Sequence, residues 1–255
     1  EIATELDKTD VSLKLNCGGK LRDIQTNNED TIIERKAFIT SITSALSDAS
    51  LRYKYKPVNI DTFYLPYHNQ RDDKAILEQL SQSFSSSPAF KGLICKQTNQ
   101  NNAKNTEPIK VGIYFDNPQQ QHSVHKLFSG IARALQASDI EVLIITSPSS
   151  RAVDSQELIS TASGSLRISS NIKKSIEQIR SLELDVLIFT EHTASWTPYI
   201  LSLSRLANVQ VGTWGNPHTT GSDTIDYFLS SHLIEPIQAD GSYTERLIRL
   251  NKLPS

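Results

Sequence analysis

The chain has 255 residues, of which 38% are hydrophobic and 21% charged, and a formal net charge of −2. Such a chain can bury a core in one large domain or two small ones, and its near-neutral balance provides no basic field for nucleic acid. Nowhere does an apolar run approach the roughly 20 residues that a membrane span needs.

Residues 1–30 are polar and mixed, with Gly18-Gly19 and Asn27-Asn28, and read as a loosely ordered lead-in with a short strand or turn at most. From Asp30 the spacing of Ile33, Phe38, Ile42 and Leu46 predicts a helix. After an aromatic stretch broken by Pro66, acids at Asp72 and Asp73 precede Ile76, Leu80 and Phe84, the pattern of a second amphipathic helix. Residues 97–107, QTNQNNAKNTE, hold no large apolar side chain and cannot pack a core. They form the expected linker between a mainly helical segment, 1–96, and a second unit, 108–255.

Beyond that linker the chain becomes regular. Strands are predicted at Ile109–Phe115, at Ile140–Thr146, in the short SLRIS stretch, at Asp185–Thr190, from Val209 in VQVGTWG, and at Ile225–Ser231, which closes the series. Between them Val124, Leu127, Phe128, Ile131 and Leu135 mark one face of a helix. Further helices are expected over Ser155–Ser163, around Ile172, Ile176 and Ile179, and from Pro198 to Leu206. Strands that are continuous apolar runs, alternating with helices, imply an α/β fold: a parallel sheet covered on both faces, behind a mainly helical segment.

In an open parallel sheet, ligands bind beyond the carboxyl ends of the strands. Four loops meet that condition: DNPQQQHSVH, SPSSR, EHTASW and GNPHTTGS. Three carry histidine, at His122 and His125, His192, and His218. No H-x-x-x-H or C-x-x-C spacing accompanies them, so a metal is not expected. Thr219-Thr220-Gly221 lacks the Lys-Ser/Thr ending of a phosphate loop, and Gly212 to Gly215 has the wrong spacing for a dinucleotide fingerprint. Read alone, a loop histidine is more often a surface or capping group than a ligand, and the glycines serve tight turns equally well. Cys17 and Cys95 are two distant thiols and read as free cysteines of a reducing cytoplasm. The chain contains no methionine and is taken as part of a longer protein.

QHSVHKLFSGIARAL, EVLIITSPSSR, the stretch from Leu184 through TEHTASW to TWGNPHTTGSDTIDYFLSS, and EPIQADGSYTERLIRL resemble the catalytic region of the O-linked N-acetylglucosamine transferase family, which includes SPINDLY-type enzymes. The resemblance begins near Asn59 and is densest from Trp214 to Tyr227. It implies that the parallel sheet is Rossmann-like, the N-terminal, acceptor-side domain of a GT-B glycosyltransferase. Such an enzyme moves a sugar from a UDP-sugar to a protein hydroxyl with inversion and without a metal. No cofactor is expected, since the UDP-sugar is the donor substrate and a protein or peptide the acceptor. A second, C-terminal Rossmann-like domain is expected to hold the nucleotide, and the chain alone is expected to be inactive. Residue by residue, the resemblance makes His122 the proposed base. It also makes Gly215, Pro217, Thr220 and Gly221 part of a loop at the sugar, with His218 and His192 beside them. Asn216 and EHTASW depart from the family pattern. The competing expectations are a non-catalytic scaffold that kept this half-fold and, less strongly, an enzyme acting on a small UDP-sugar, such as an epimerase.

Overall fold

The computed structural model describes residues 7–22, 24, 27–68, 73–97, 108–150, 156–160, 162–193 and 195–253. Its first helix, α1, spans Val11–Gly18 and is capped by Asp10, whose carboxylate accepts from the Ser12 N–H at 3.0 Å. A loose lead-in was expected there, and the reason for the difference is local. V-S-L-K-L alternates like a strand, yet Val11 and Leu15, four residues apart, share the buried side of a helix. Helix α2, Asn28–Ser47, starts at Asn27, which accepts from the Asp30 N–H at 2.9 Å. It buries Phe38, Ile42 and Leu46 as expected, but Ile33 is 60% exposed and Arg35 takes the inward place. The Arg35 guanidinium is tolerated there because it donates to the Leu65 carbonyl at 3.1 Å and to Asp73 at 2.6 Å. Helix α3, Asp73–Ser86, buries Leu77, Leu80 and Phe84.

Among the described residues seven strands follow: β1 (Ile109–Phe115), β2 (Ile140–Thr146), β3 (Gly164–Arg167), β4 (Val186–Phe189), β5 (Val209–Thr213), β6 (Tyr227–Ser231) and β7 (Arg246–Leu250). They pair in the order β3-β2-β1-β4-β5-β6-β7, every pair parallel. Among the described residues four α-helices lie between them: α4 (Ser123–Gln136), α5 (Gln156–Ser160), α6 (Ile172–Arg180) and α7 (Trp196–Ser202). The series was expected to close with β6. The seventh strand, R-L-I-R-L, escaped because it lies at the sheet's edge and mixes charge with apolar residues, the usual protection of an edge strand. Helix α7 begins two residues before Pro198, which the first turn accepts.

Side chains alternate along β1. Ile113 and Phe115 pack with Phe128 of α4 and Ile144 of β2, while Tyr114 joins Ile145, Leu187 and Phe189 on the other face. That second face is covered partly by α1, α2 and α3, whose Leu15, Ile42, Leu77 and Phe84 belong to the same cluster. Of the expected linker only Gln97 is among the described residues. Asp226, an acid inside an apolar run, has a structural use. It pairs with Arg205 at 2.5 and 3.1 Å and accepts from the Gln210 N–H at 2.8 Å.

The chain builds β1 to β3 outward in one direction, then returns to place β4 on the free side of β1. The crevice of a doubly wound sheet opens at such a reversal, outside the carboxyl ends of the two strands.

Candidate functional site at the carboxyl edge of the sheet

The loop after β5 is tied to the loop after β4. The Asn216 side-chain oxygen accepts from the His192 and Thr193 N–H groups at 2.6 and 3.1 Å. A Cβ on Gly215 would lie 1.8 Å from the Thr190 carbonyl oxygen, so glycine is needed there by the protein's own backbone. Trp214 packs on Phe128, ring centroids 4.7 Å apart. His218 is buried, with Nδ1 2.7 Å from the Thr219 carbonyl and Nε2 3.2 Å from the Thr193 hydroxyl. The carbonyl can only accept, so Nδ1 carries the proton and Nε2 accepts from Thr193. His192 stands edge-on to His218 at 5.5 Å, wholly buried; among the described residues neither ring nitrogen has a well-aligned hydrogen-bond partner, although the Thr219 and His218 backbone lies near the ring. Burial, helped by His218, holds the His192 imidazole well below its ordinary range and therefore neutral; burial lowers His218 as well.

Thr219, Thr220 and Gly221 face inward. The Thr219 hydroxyl donates to Glu245 at 2.6 Å, the Thr220 N–H to the same carboxylate at 2.7 Å, and the Thr220 hydroxyl also reaches it. Gly221 has φ +67°, and a Cβ there would meet the Leu77 backbone of α3 at 2.3 Å. Pro217 is exposed. Together with His218, Thr219, Lys74 and Tyr243 it lines a cavity of about 390 Å³ between α3 and the segment before β7.

His122 stands elsewhere on the edge. It caps α4, its Nδ1 accepting from the Val124 N–H at 3.4 Å, and is half-buried. His125 is buried, its Nδ1 3.0 Å from the Pro118 carbonyl. No hydrogen bond or ring contact among the described residues joins His122 to the His192–His218 pair.

Two acids that sequence reasoning passed over occupy the order reversal. Asp116 follows β1 and Glu191 follows β4 by one residue. Asp116 accepts from the Tyr114 phenol at 2.9 Å and from the Ser195 hydroxyl at 2.8 Å. Glu191 accepts from the Asn117 N–H at 3.3 Å. Burial, with the Asp116 charge beside it, pushes the Glu191 carboxyl up to about 7. Ser195 also lines a groove of about 440 Å³ with Tyr53, Tyr55, Trp196 and Ser169, where the Trp196 indole donates to the Tyr53 hydroxyl at 2.9 Å. The signal was present in the sequence: each of two neighbouring apolar strands, IYF and IFT, runs directly into an acid.

No family model matches the chain. Over 79 residues, 31% of its length, it is 38% identical to a probable UDP-N-acetylglucosamine–peptide N-acetylglucosaminyltransferase SPINDLY of Eustoma exaltatum subsp. russellianum, of which it covers 8%. Its fold matches a mutant of the Thermobaculum terrenum O-GlcNAc transferase at TM-score 0.56 and 18% identity, over 99% of this chain and 46% of that one. Sequence and fold both resemble the O-linked N-acetylglucosamine transferase family. The chain spans under half the length of either relative. The α/β Rossmann-like sheet is common ground with the transferase structure, and the loops that carry the family resemblance gather at its carboxyl edge. No described helix is long and apolar enough to cross a membrane.

Proposed function

We propose that this chain is the acceptor-side part of an inverting, metal-independent GT-B glycosyltransferase that moves N-acetylglucosamine or a related sugar from a UDP-sugar to serine or threonine of a cytoplasmic protein. The observation that supports this most is the convergence of the family-like loops on one carboxyl edge of an all-parallel sheet. In this reading His122 meets the sugar and its acceptor. Pro217 and His218 present the wall of the 390 Å³ cavity. Gly215, Thr220, Gly221 and His192 shape that wall from behind, through the packing and hydrogen bonds described above. The diphosphate falls to a second Rossmann-like domain in the longer protein. The test is calorimetry and turnover. The 255-residue chain is expected to bind UDP weakly and to transfer nothing, and a longer protein carrying it is expected to transfer sugar. Micromolar UDP binding by the chain alone, or an inert longer protein, overturns the reading.

A scaffold that kept the half-fold without chemistry draws support from one specific observation. The hydroxyls of Thr219 and Thr220 are spent on Glu245, and both Gly215 and Gly221 have internal reasons to be glycine. An inert longer protein with intact folding would favour it.

A further inference from the structure

The reading above leaves Glu191 without a task. It is 4% exposed at the end of β4, beside Asp116 at the end of β1, across the order reversal of the sheet. Both Asp116 oxygens are engaged as acceptors, one by Tyr114 and one by Ser195. A carboxyl beside such a carboxylate takes a proton in preference to it, because two adjacent charges repel. Among the described residues the titratable groups facing Glu191 are Asp116 and the Tyr114 phenol, itself raised well above its usual range by burial. Ser195 connects Asp116, the neighbour of Glu191, to open space, since it donates to Asp116 and lines the 440 Å³ groove. An independent sign comes from the adjoining loops. His192 and Asn216, both wholly buried, leave the two His192 nitrogens and the Asn216 amide nitrogen without hydrogen-bond partners among the described residues. Unsatisfied polar groups are costly and gather where something other than stability is served.

We propose that Glu191 is the group that accepts the proton of the acceptor hydroxyl, with Asp116 as its positioning residue; this rests on the glycosyltransferase reading. In the step, the acceptor oxygen bonds to the anomeric carbon of the UDP-sugar. The bond from that carbon to the diphosphate oxygen breaks, its electron pair leaving with UDP. The hydroxyl proton passes to the Glu191 carboxylate. A base serves best when it is partly ionised at the working pH and still basic enough to take a proton, and Glu191 titrates there, at about 7.

The experiment compares Glu191→Gln, Asp116→Asn and His122→Ala in the longer protein. Wild-type kcat is expected to rise with pH through about 7. Glu191→Gln keeps the size and the acceptor for the Asn117 N–H, and is expected to lower kcat by roughly 100-fold or more and abolish that rise. Asp116→Asn is expected to move the rise to lower pH, which a merely structural carboxylate would not do, and His122→Ala to keep it. Carboxyl-carbon NMR of the 255-residue chain supplies a second readout, with Glu191 titrating near neutrality. Loss of the rise in His122→Ala alone overturns the proposal, as does its persistence in Glu191→Gln or a Glu191 midpoint near the ordinary 4.5. A wild type without any turnover removes both the reading and this inference. An active wild type with an unaltered Glu191→Gln removes the inference only.

Discussion

Glu245 and Glu191 are both nearly buried, at 6% and 4% exposure, Glu191 beyond the carboxyl end of β4 and Glu245 just before the start of β7. Glu245 receives two hydroxyls and a backbone N–H from Thr219 and Thr220, and with them fastens the loop after β5 to the start of β7. Glu191 receives the Asn117 N–H and faces the negative charge of Asp116. One carboxyl is surrounded by hydrogen-bond donors and the other stands beside a like charge. The same side chain therefore holds the fold in one place and strains it in the other. Strain of the second kind persists when the surrounding structure fixes it, and it collects at functional sites.

The largest effect is expected on the Glu245 side. Gly221→Ala puts a Cβ into the Leu77 backbone at a left-handed φ, and is expected to cost about 4 kcal/mol or prevent folding, read by thermal melting. A melting point near wild type would mean that the loop can leave α3 without consequence. Glu245→Ala strands the Thr220 N–H and two hydroxyls, and is expected to cost about 3 kcal/mol by denaturant titration. A loss below about 1 kcal/mol would erase the contrast between the two glutamates.

On the other side the sign reverses. The folded protein raises the Glu191 carboxyl from 4.5 to about 7. Below 4.5 both folded and unfolded states are protonated and nothing is lost. As pH rises from 4.5 to 7 the unfolded chain releases its proton first, so the folded state loses relative stability, and above 7 the deficit is constant. Glu191→Gln is therefore expected to match wild type at low pH and to exceed it above pH 7 by up to about 3 kcal/mol. Equal stabilities at pH 4 and pH 8 would show that Glu191 is not strained. The smallest effect is expected at His192. Its folded-state value lies below the unfolded 6.5, so its contribution is present above 6.5 and is lost as pH falls below it. His192→Leu removes the unpaired nitrogens and is expected to stabilise the protein by about 1 kcal/mol, the gain growing below pH 6.5. A destabilised variant would mean that the ring's shape against His218 and Phe228 matters more than its nitrogens.

The parallel sheet was legible because its inner strands are apolar on both faces and leave no ambiguity of period. The strand bounds Ile109–Phe115 and Ile140–Thr146 coincide with those read from the sequence. Two elements were missed where local patterns compete: α1, whose V-S-L-K-L mimics a strand, and β7, whose arginines disguise an edge. The site was legible as a set of loops, since acids, histidines and glycines after apolar strands are visible in sequence. The function of each residue within it was not. That Thr220 points at Glu245, that Gly215 meets Thr190, and that Asp116 stands beside Glu191 depend on pairs 25 or more residues apart.

The covering of one sheet face by α1, α2 and α3 affects how the protein can be divided. Leu77 abuts Gly221, Lys96 pairs with Asp223 at 2.5 Å, and the Arg205 N–H reaches the Cys95 carbonyl at 2.6 Å. These contacts, with the apolar cluster beneath them, join the two sides of residues 98–107 without using the peptide bonds between them. A protease cut in that interval should give two bands on a denaturing gel and one peak on a sizing column. Two polypeptides ending and starting there, expressed separately, should reassemble when mixed, so the chain can be run as a complementing pair.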